Sequence, residues 1–177
     1  MKISEFIFQK GKIVSIYGES GSGKTNILLQ VVSDLSPSLY ISTEGTSYQG
    51  RAEKIKWKKD VRFVEVSNIY ELISAILLSS KLNLKVIAVD TINNIYRRTR
   101  KYKDLLYPLI LLHAFSQESD TKIVLSWQVS ANNRVPGEKF MRMFSEDIFR
   151  ITKDHLLIGN LRVCKFRIHE YGVEGCL

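Results

Sequence analysis

Cysteine is scarce in this chain: Cys164 and Cys176 are the two thiols among 177 residues. Two thiols near one end do not make a disulfide framework, and no histidine or cysteine spacing matches a metal site. Cys164 is therefore expected in a strand core and Cys176 in a frayed tail, with a reducing cytoplasm as the compartment. No apolar run approaches the length of a membrane span, so no membrane partner is expected. The opening MKISEFIFQKGKIVSIYG is too polar and too broken for a signal peptide, and it is expected to run straight into the first strand. Internal repeats, low-complexity tracts and Pro/Gly-rich linkers are missing, which leaves a single domain over residues 1–177. Acidic residues are the minority sign, 18 against 26 basic, for a net charge of +8. That balance favours a polyanionic partner or substrate, although excess lysine also serves solubility. Three histidines are scattered; His113 falls in an apolar helical pattern and is read as packed, and neither it nor His155 or His169 is given a role.

What is present is an alternation of strand and helix patterns. KIVSIYG (12–18), SLYISTE (38–44), VRFVEVS (61–67), KVIAVDTI (85–92) and TKIVLSWQV (121–129) read as strands. Residues 25–35, 49–57, 69–82 and 104–117 read as helices. Two further strands, around 146–153 and 160–171, are expected to meet in a hairpin near Gly159 and Asn160. The fold class is α/β: a mostly parallel central sheet flanked by helices, with a C-terminal antiparallel edge hairpin. Ligands in such sheets bind beyond the C-terminal strand ends.

GESGSGKT lies at such an end and fits G-x-x-x-x-G-K-[ST], with Gly18, Gly23, Lys24 and Thr25 at the fixed places. Glycines let successive N–H groups turn inward as an anion nest, and the helix that follows points its positive end at the same spot. Lys24 adds a full charge for the β- and γ-phosphates, and Thr25 offers a hydroxyl to Mg²⁺. The nucleotide cradle thus comprises Gly18, Glu19, Ser20, Gly21, Ser22, Gly23, Lys24, Thr25 and Asn26, with ATP and Mg²⁺ as the expected ligands.

Three strand ends offer partners. Asp90 closes VIAVD, an apolar run whose last residue either reaches the Mg²⁺ shell or simply starts a turn. Glu44 ends YISTE; its carboxylate either orients an attacking water or serves as a helix-entry residue. Gln128 ends KIVLSWQ, where an amide can bond a γ-phosphate and move when it leaves, or make ordinary strand-end hydrogen bonds.

Taken in order, GESGSGKT, YISTEG, VIAVDTINNIYR and IVLSWQVS resemble the ATPase core of the RecA superfamily, on the side of the archaeal RadA and RadB recombinases and their short paralogues. The resemblance runs over 12–173, including the terminal KFRIHEYGV. It implies that Glu44 is the water-positioning carboxylate, that Gln128 senses the γ-phosphate, and that Arg51 stacks on adenine, although SYQG before Arg51 departs from the usual run. A helix-hairpin-helix DNA-binding domain and a phenylalanine-alanine polymerisation motif do not fit in the first eleven residues, and the long first DNA loop of a full recombinase is missing. An accessory role is therefore expected rather than independent strand exchange.

RRTRKYK (97–103) falls at the place of the first DNA loop, with Arg97, Arg98, Arg100, Lys101 and Lys103 around Tyr102. SANNRVPGEKFMRM (130–143) falls at the second, with Arg134, Lys139 and Arg142. Basic side chains neutralise phosphates and aromatics stack on bases, so single-stranded DNA is one expected partner and a RadA-type recombinase another. KIKWKKDVR (54–62) reads as solvated surface with Trp57 against the sheet. The leading expectation is a RecA-type ATPase with slow turnover. A KaiC-like, nucleotide-gated interaction module without DNA binding is the alternative, and a small-molecule kinase ranks last because no arginine-rich lid is found.

Overall fold

The computed structural model of the protein describes residues 1–57 and 60–177. Its elements in chain order begin with α1 (Ile3–Ile7), β1 (Ile13–Gly18), α2 (Lys24–Asp34), β2 (Ser38–Ser42), α3 (Gln49–Ala52), β3 (Val61–Glu65), α4 (Ile69–Ser79) and β4 (Val86–Asp90). There follow α5 (Asn94–Thr99), α6 (Lys103–Glu118), β5 (Lys122–Gln128), α7 (Glu138–Phe144), β6 (Asp147–Ile151), β7 (Leu156–Gly159), β8 (Arg162–Lys165), β9 (Arg167–His169) and β10 (Gly172–Glu174).

Eight strands form one sheet in the order β3-β2-β4-β5-β1-β6-β7-β8. Six are parallel, from β3 through β6, and β7 and β8 add the antiparallel edge hairpin. The continuous apolar run of β4 reflects burial on both faces. Val86 and Ala88 join the layer of α1 and α2, while Ile87 and Val89 join that of α4, α6 and α7. Trp127 on β5 is fully buried and donates its indole N–H to Ser15 Oγ at 2.8 Å, so its one polar atom is satisfied.

Several elements depart from the sequence pattern. The opening segment does not run straight into a strand: α1 buries Ile3, Phe6 and Ile7 in the core that α2 shares. The helix expected over 49–57 stops at Ala52, because the Trp57 indole N–H donates to Ala52 O at 2.8 Å and its ring packs edge-on against Phe63 at 5.1 Å. In the basic stretch 54–62, Lys58 and Lys59 lie outside the described residues. The strand expected over 160–171 divides into β8 and β9, and the hairpin at Gly159 and Asn160 is made with β7 rather than β6. His113 is exposed, one step off the buried stripe of Leu105, Leu109 and Leu112, with its ring edge toward Phe144.

The cysteine expectation is overturned. Cys164 and Cys176 form a disulfide, because the segment after β8 does not fray but turns through the β9–β10 hairpin and brings Cys176 back beside β8. A count of thiols could not show that return.

Gly137, which starts α7, has φ +84°, and a Cβ there would sit 2.3 Å from Leu105 Cδ2. Gly137→Ala is expected to destabilise the fold by about 2 kcal/mol, read as a lower urea midpoint at unchanged m-value.

Candidate nucleotide site at the strand ends

The register sets the site. Gly18 lies level with Gln128, and Ser42 lies level with Asp90, so the C-terminal ends of β1, β5, β4 and β2 form one rim. β5 stands between β1 and β4, which leaves a gap above it between the glycine loop and the aspartate. A cleft of about 270 Å³ opens there. Its walls include Ser20, Gly21, Gly23, Lys24, Thr25 and Asn26 on one side, with Glu44, Arg51, Asp90, Gln128 and Ile168 around the rest.

The loop conformation needs its glycines. Gly21 and Gly23 have φ of +78° and +104°, and a Cβ on Gly18 would meet Ile151 Cγ2 at 2.3 Å. α2 carries no acidic residue in its first turn, so its positive end stays free for an anion. Lys24 is buried, and its ammonium donates to the carbonyls of Gly18 and Glu19 at 2.7 and 2.8 Å. Burial lowers the Lys24 pKa from its ordinary value, against the opposing pull of Asp90, Glu44 and Glu19. Ser22 Oγ is buried with no hydrogen-bond partner among the described residues. The Glu19 side chain turns away to an ion pair with Lys153 at 2.8 Å, outside the cleft lining.

Asp90 is the junction. Its Oδ2 accepts from Thr25 Oγ1 at 2.7 Å and from the Tyr40 phenol at 2.5 Å, and its Oδ1 accepts from Ser126 Oγ at 2.5 Å. Tyr40 and Ser126 are fully buried. Burial first, then the Asp90 charge, pushes the Tyr40 phenol well above its ordinary pKa, which keeps it a donor. By sequence pattern both are strand filler; a hydroxyl within an apolar run ending at the rim is the signal that could have found them.

Glu44 lies two residues past β2, half-buried. Burial raises its pKa, Asp90 adds to the rise, and Lys24 and Arg97 oppose it. The strand behind it is tied to the aspartate strand: Thr43 N–H donates to Asp90 O at 2.9 Å, and Asn94 Nδ2 donates to Thr43 O at 2.7 Å. Asn93, fully buried and also unforeseen, donates to the carbonyls of Gln128 and Pro136 at 3.0 and 3.1 Å. It also accepts from Gln128 N–H at 3.0 Å, so one side chain holds Gln128 and Pro136 in the middle of the second basic segment.

The basic residues differ in how far they are engaged. Arg97 is half-buried near enough to Glu44 to act on its charge, and Arg98 donates to Ser67 O at 2.7 Å. Arg100, Lys101, Lys103, Arg134 and Lys139 are exposed. Arg142 pairs with Glu138 at 2.9 Å. Part of each expected loop is helical, as α5 and α7.

No protein-family model matches the chain. The DNA repair and recombination protein RadB of Methanococcoides burtonii is 29% identical to it over 193 aligned positions, covering 93% of this chain and 84% of RadB. A solved KaiC-like protein from Pyrococcus horikoshii superimposes with a TM-score of 0.74 at 13% identity, over 99% of this chain and 97% of that one. The chain is thus similar in sequence to a RadB protein, as the order of its motifs implied, and shares its fold with a KaiC-like protein.

The Glu44 shift has a stability consequence. A carboxyl whose pKa is raised on folding contributes more below its unfolded value, and that contribution is lost as pH rises through the folded value. Glu44→Gln is therefore expected to raise the thermal midpoint at pH 7, with the gain shrinking below pH ~4.5. Thermal unfolding of both proteins across that window checks the sign.

Proposed function

We propose that the cleft binds ATP with Mg²⁺ and hydrolyses it slowly, and that the protein assists recombinational DNA repair by contacting single-stranded DNA or a RadA-type recombinase. The single observation that carries the reading is the 2.7 Å hydrogen bond from Thr25 to Asp90, with the Lys24 ammonium held by the loop carbonyls beside it. A hydroxyl and a carboxylate side by side at a phosphate loop suit a hard cation shared with phosphate oxygens. The partnerless Ser22 hydroxyl and the free first turn of α2 also suit an anion.

In this reading the loop amides and Lys24 hold the β- and γ-phosphates. Thr25 and Asp90 hold Mg²⁺, which would draw charge from the phosphate oxygens when bound. Tyr40 and Ser126 fix the Asp90 carboxylate in place. Glu44 orients the attacking water and takes up its proton, a role its raised pKa favours. Gln128 reads the terminal phosphate, and Asn93 passes its position to the second basic segment. Arg51 stacks on the base. Slow turnover is expected from the core acting alone, since a basic finger from a neighbour contributes roughly 10³ to 10⁵ in rate where it operates.

The recombination role rests on the RadB relative, whose name states DNA repair and recombination for that protein. Exposed Arg100, Lys101, Lys103, Arg134 and Lys139 supply the charge for phosphate contacts. A nucleotide-gated module without DNA binding is the second reading, favoured by the engagement of Arg98 with Ser67 and of Arg142 with Glu138.

Two measurements test this. Glu44→Gln should keep ATP bound and lower turnover by about 10² or more; unchanged turnover would remove Glu44 from the mechanism. Replacing the exposed Arg100, Lys101 and Lys103 together with alanine should weaken single-stranded DNA binding and flatten its salt dependence by about two units of slope, at ~0.7 for each phosphate no longer neutralised. Wild-type protein without DNA affinity at low salt would favour the second reading.

A further inference from the structure

One wall of the cleft is tied down through sulfur. Among the described residues β9 and β10 pair only with each other, as a two-stranded sheet apart from the main one. Such a hairpin is marginal by itself and depends on its attachments. Ile168 of β9 lines the cleft and packs on the phosphate loop: its Cδ1 lies 2.8 Å from where a Cβ of Gly23 would be. Val173 N–H of β10 donates to Gln30 Oε1 of α2 at 2.8 Å. Beyond β10, Gly175 rests against Ile3, and Leu177 N–H donates to Lys165 O at 3.0 Å. The disulfide between Cys164 and Cys176, 12 positions apart, closes the loop that contains this flap.

We infer that Cys164 and Cys176 form a reversible redox modification site that controls nucleotide affinity by fixing or releasing the β9–β10 flap. The inference rests on the nucleotide reading of the cleft. Cys164 is 2% exposed and Cys176 is partly exposed, so exchange with an outside reagent enters at Cys176. With a low-molecular-weight disulfide such as oxidised glutathione, the Cys176 thiolate attacks one glutathione sulfur and expels the other as a thiolate. The Cys164 thiolate then attacks Cys176 Sγ in the mixed disulfide and expels the second glutathione thiolate. The protein loses two electrons and two protons, and one glutathione disulfide becomes two thiols. Reduction by excess thiol runs the same exchanges backward.

Breaking the bond leaves the flap with the Gln30 contact, the Leu177 hydrogen bond, the contact of Gly175 with Ile3 and the apolar contacts of Ile168 and Val173. A flap closed about one-fifth of the time would raise the apparent Kd about fivefold, because affinity scales with the competent fraction.

The test is a titration of a fluorescent ATP analogue with Mg²⁺ into wild-type protein equilibrated in oxidised or in reduced glutathione buffer, beside Cys176→Ser. The expected Kd of reduced wild type is about fivefold above that of oxidised wild type, and Cys176→Ser matches the reduced value in both buffers. Amide exchange at Val173 should be slower in the oxidised protein, a readout that needs no nucleotide. Equal Kd values in oxidised and reduced wild type overturn the inference alone. So do two freely titratable thiols after incubation with glutathione disulfide. Absence of nucleotide binding in both states overturns it together with the nucleotide reading.

Discussion

The architecture turns on one buried carboxylate. Asp90 closes the central strand β4, and three hydroxyls from three other elements converge on it: Thr25 from α2, Tyr40 from β2 and Ser126 from β5. A carboxylate only 4% exposed would be costly without such donors, since hydrogen bonds to an ionised group contribute about 1.5–3 kcal/mol each. The same donors fix where the helix after the glycine loop meets the sheet. Each donor both satisfies a buried oxygen and places the carboxylate at the site, so stability and geometry meet at this point.

Sheet order supplies the space. Because β5 separates β1 from β4, the loop and the aspartate face each other across a gap rather than touching backbone to backbone. Gln128 rises from the strand in the middle of that gap, and Glu44 follows the strand on its far side. Asn93 and Thr43 bind the turns behind these residues to one another through hydrogen bonds of 2.7 to 3.1 Å. The strand ends are therefore cross-tied around the candidate site. The β9–β10 flap is the contrasting part, held by a few contacts and a disulfide.

The loop from Gly18 to Thr25 was legible because its chemistry fixes both residue type and spacing. Asp90 was legible because an apolar run that ends in an acid stands out, and the alternation of elements pointed to a parallel sheet. What escaped the sequence depended on distant parts of the chain. Tyr40 and Ser126 look like strand residues until the sheet order brings both to Asp90. The helix after Tyr48 ends early because Trp57 finds Ala52 O and Phe63, a tertiary contact that outweighs local propensity. The disulfide was missed because the return of the chain through a three-residue strand pair has almost no periodicity to read. The basic segments were found by composition, but which arginines are already engaged was visible only in three dimensions.

The central claim is that the glycine loop and Asp90 together make a metal-dependent triphosphate site. Calorimetric titration of ATP into the protein, with and without Mg²⁺, and into Lys24→Ala, tests it most directly. The account predicts saturable one-to-one binding that strengthens with Mg²⁺ and is lost in Lys24→Ala. Binding that ignores both Mg²⁺ and Lys24, or no saturable binding by the wild type, would contradict it.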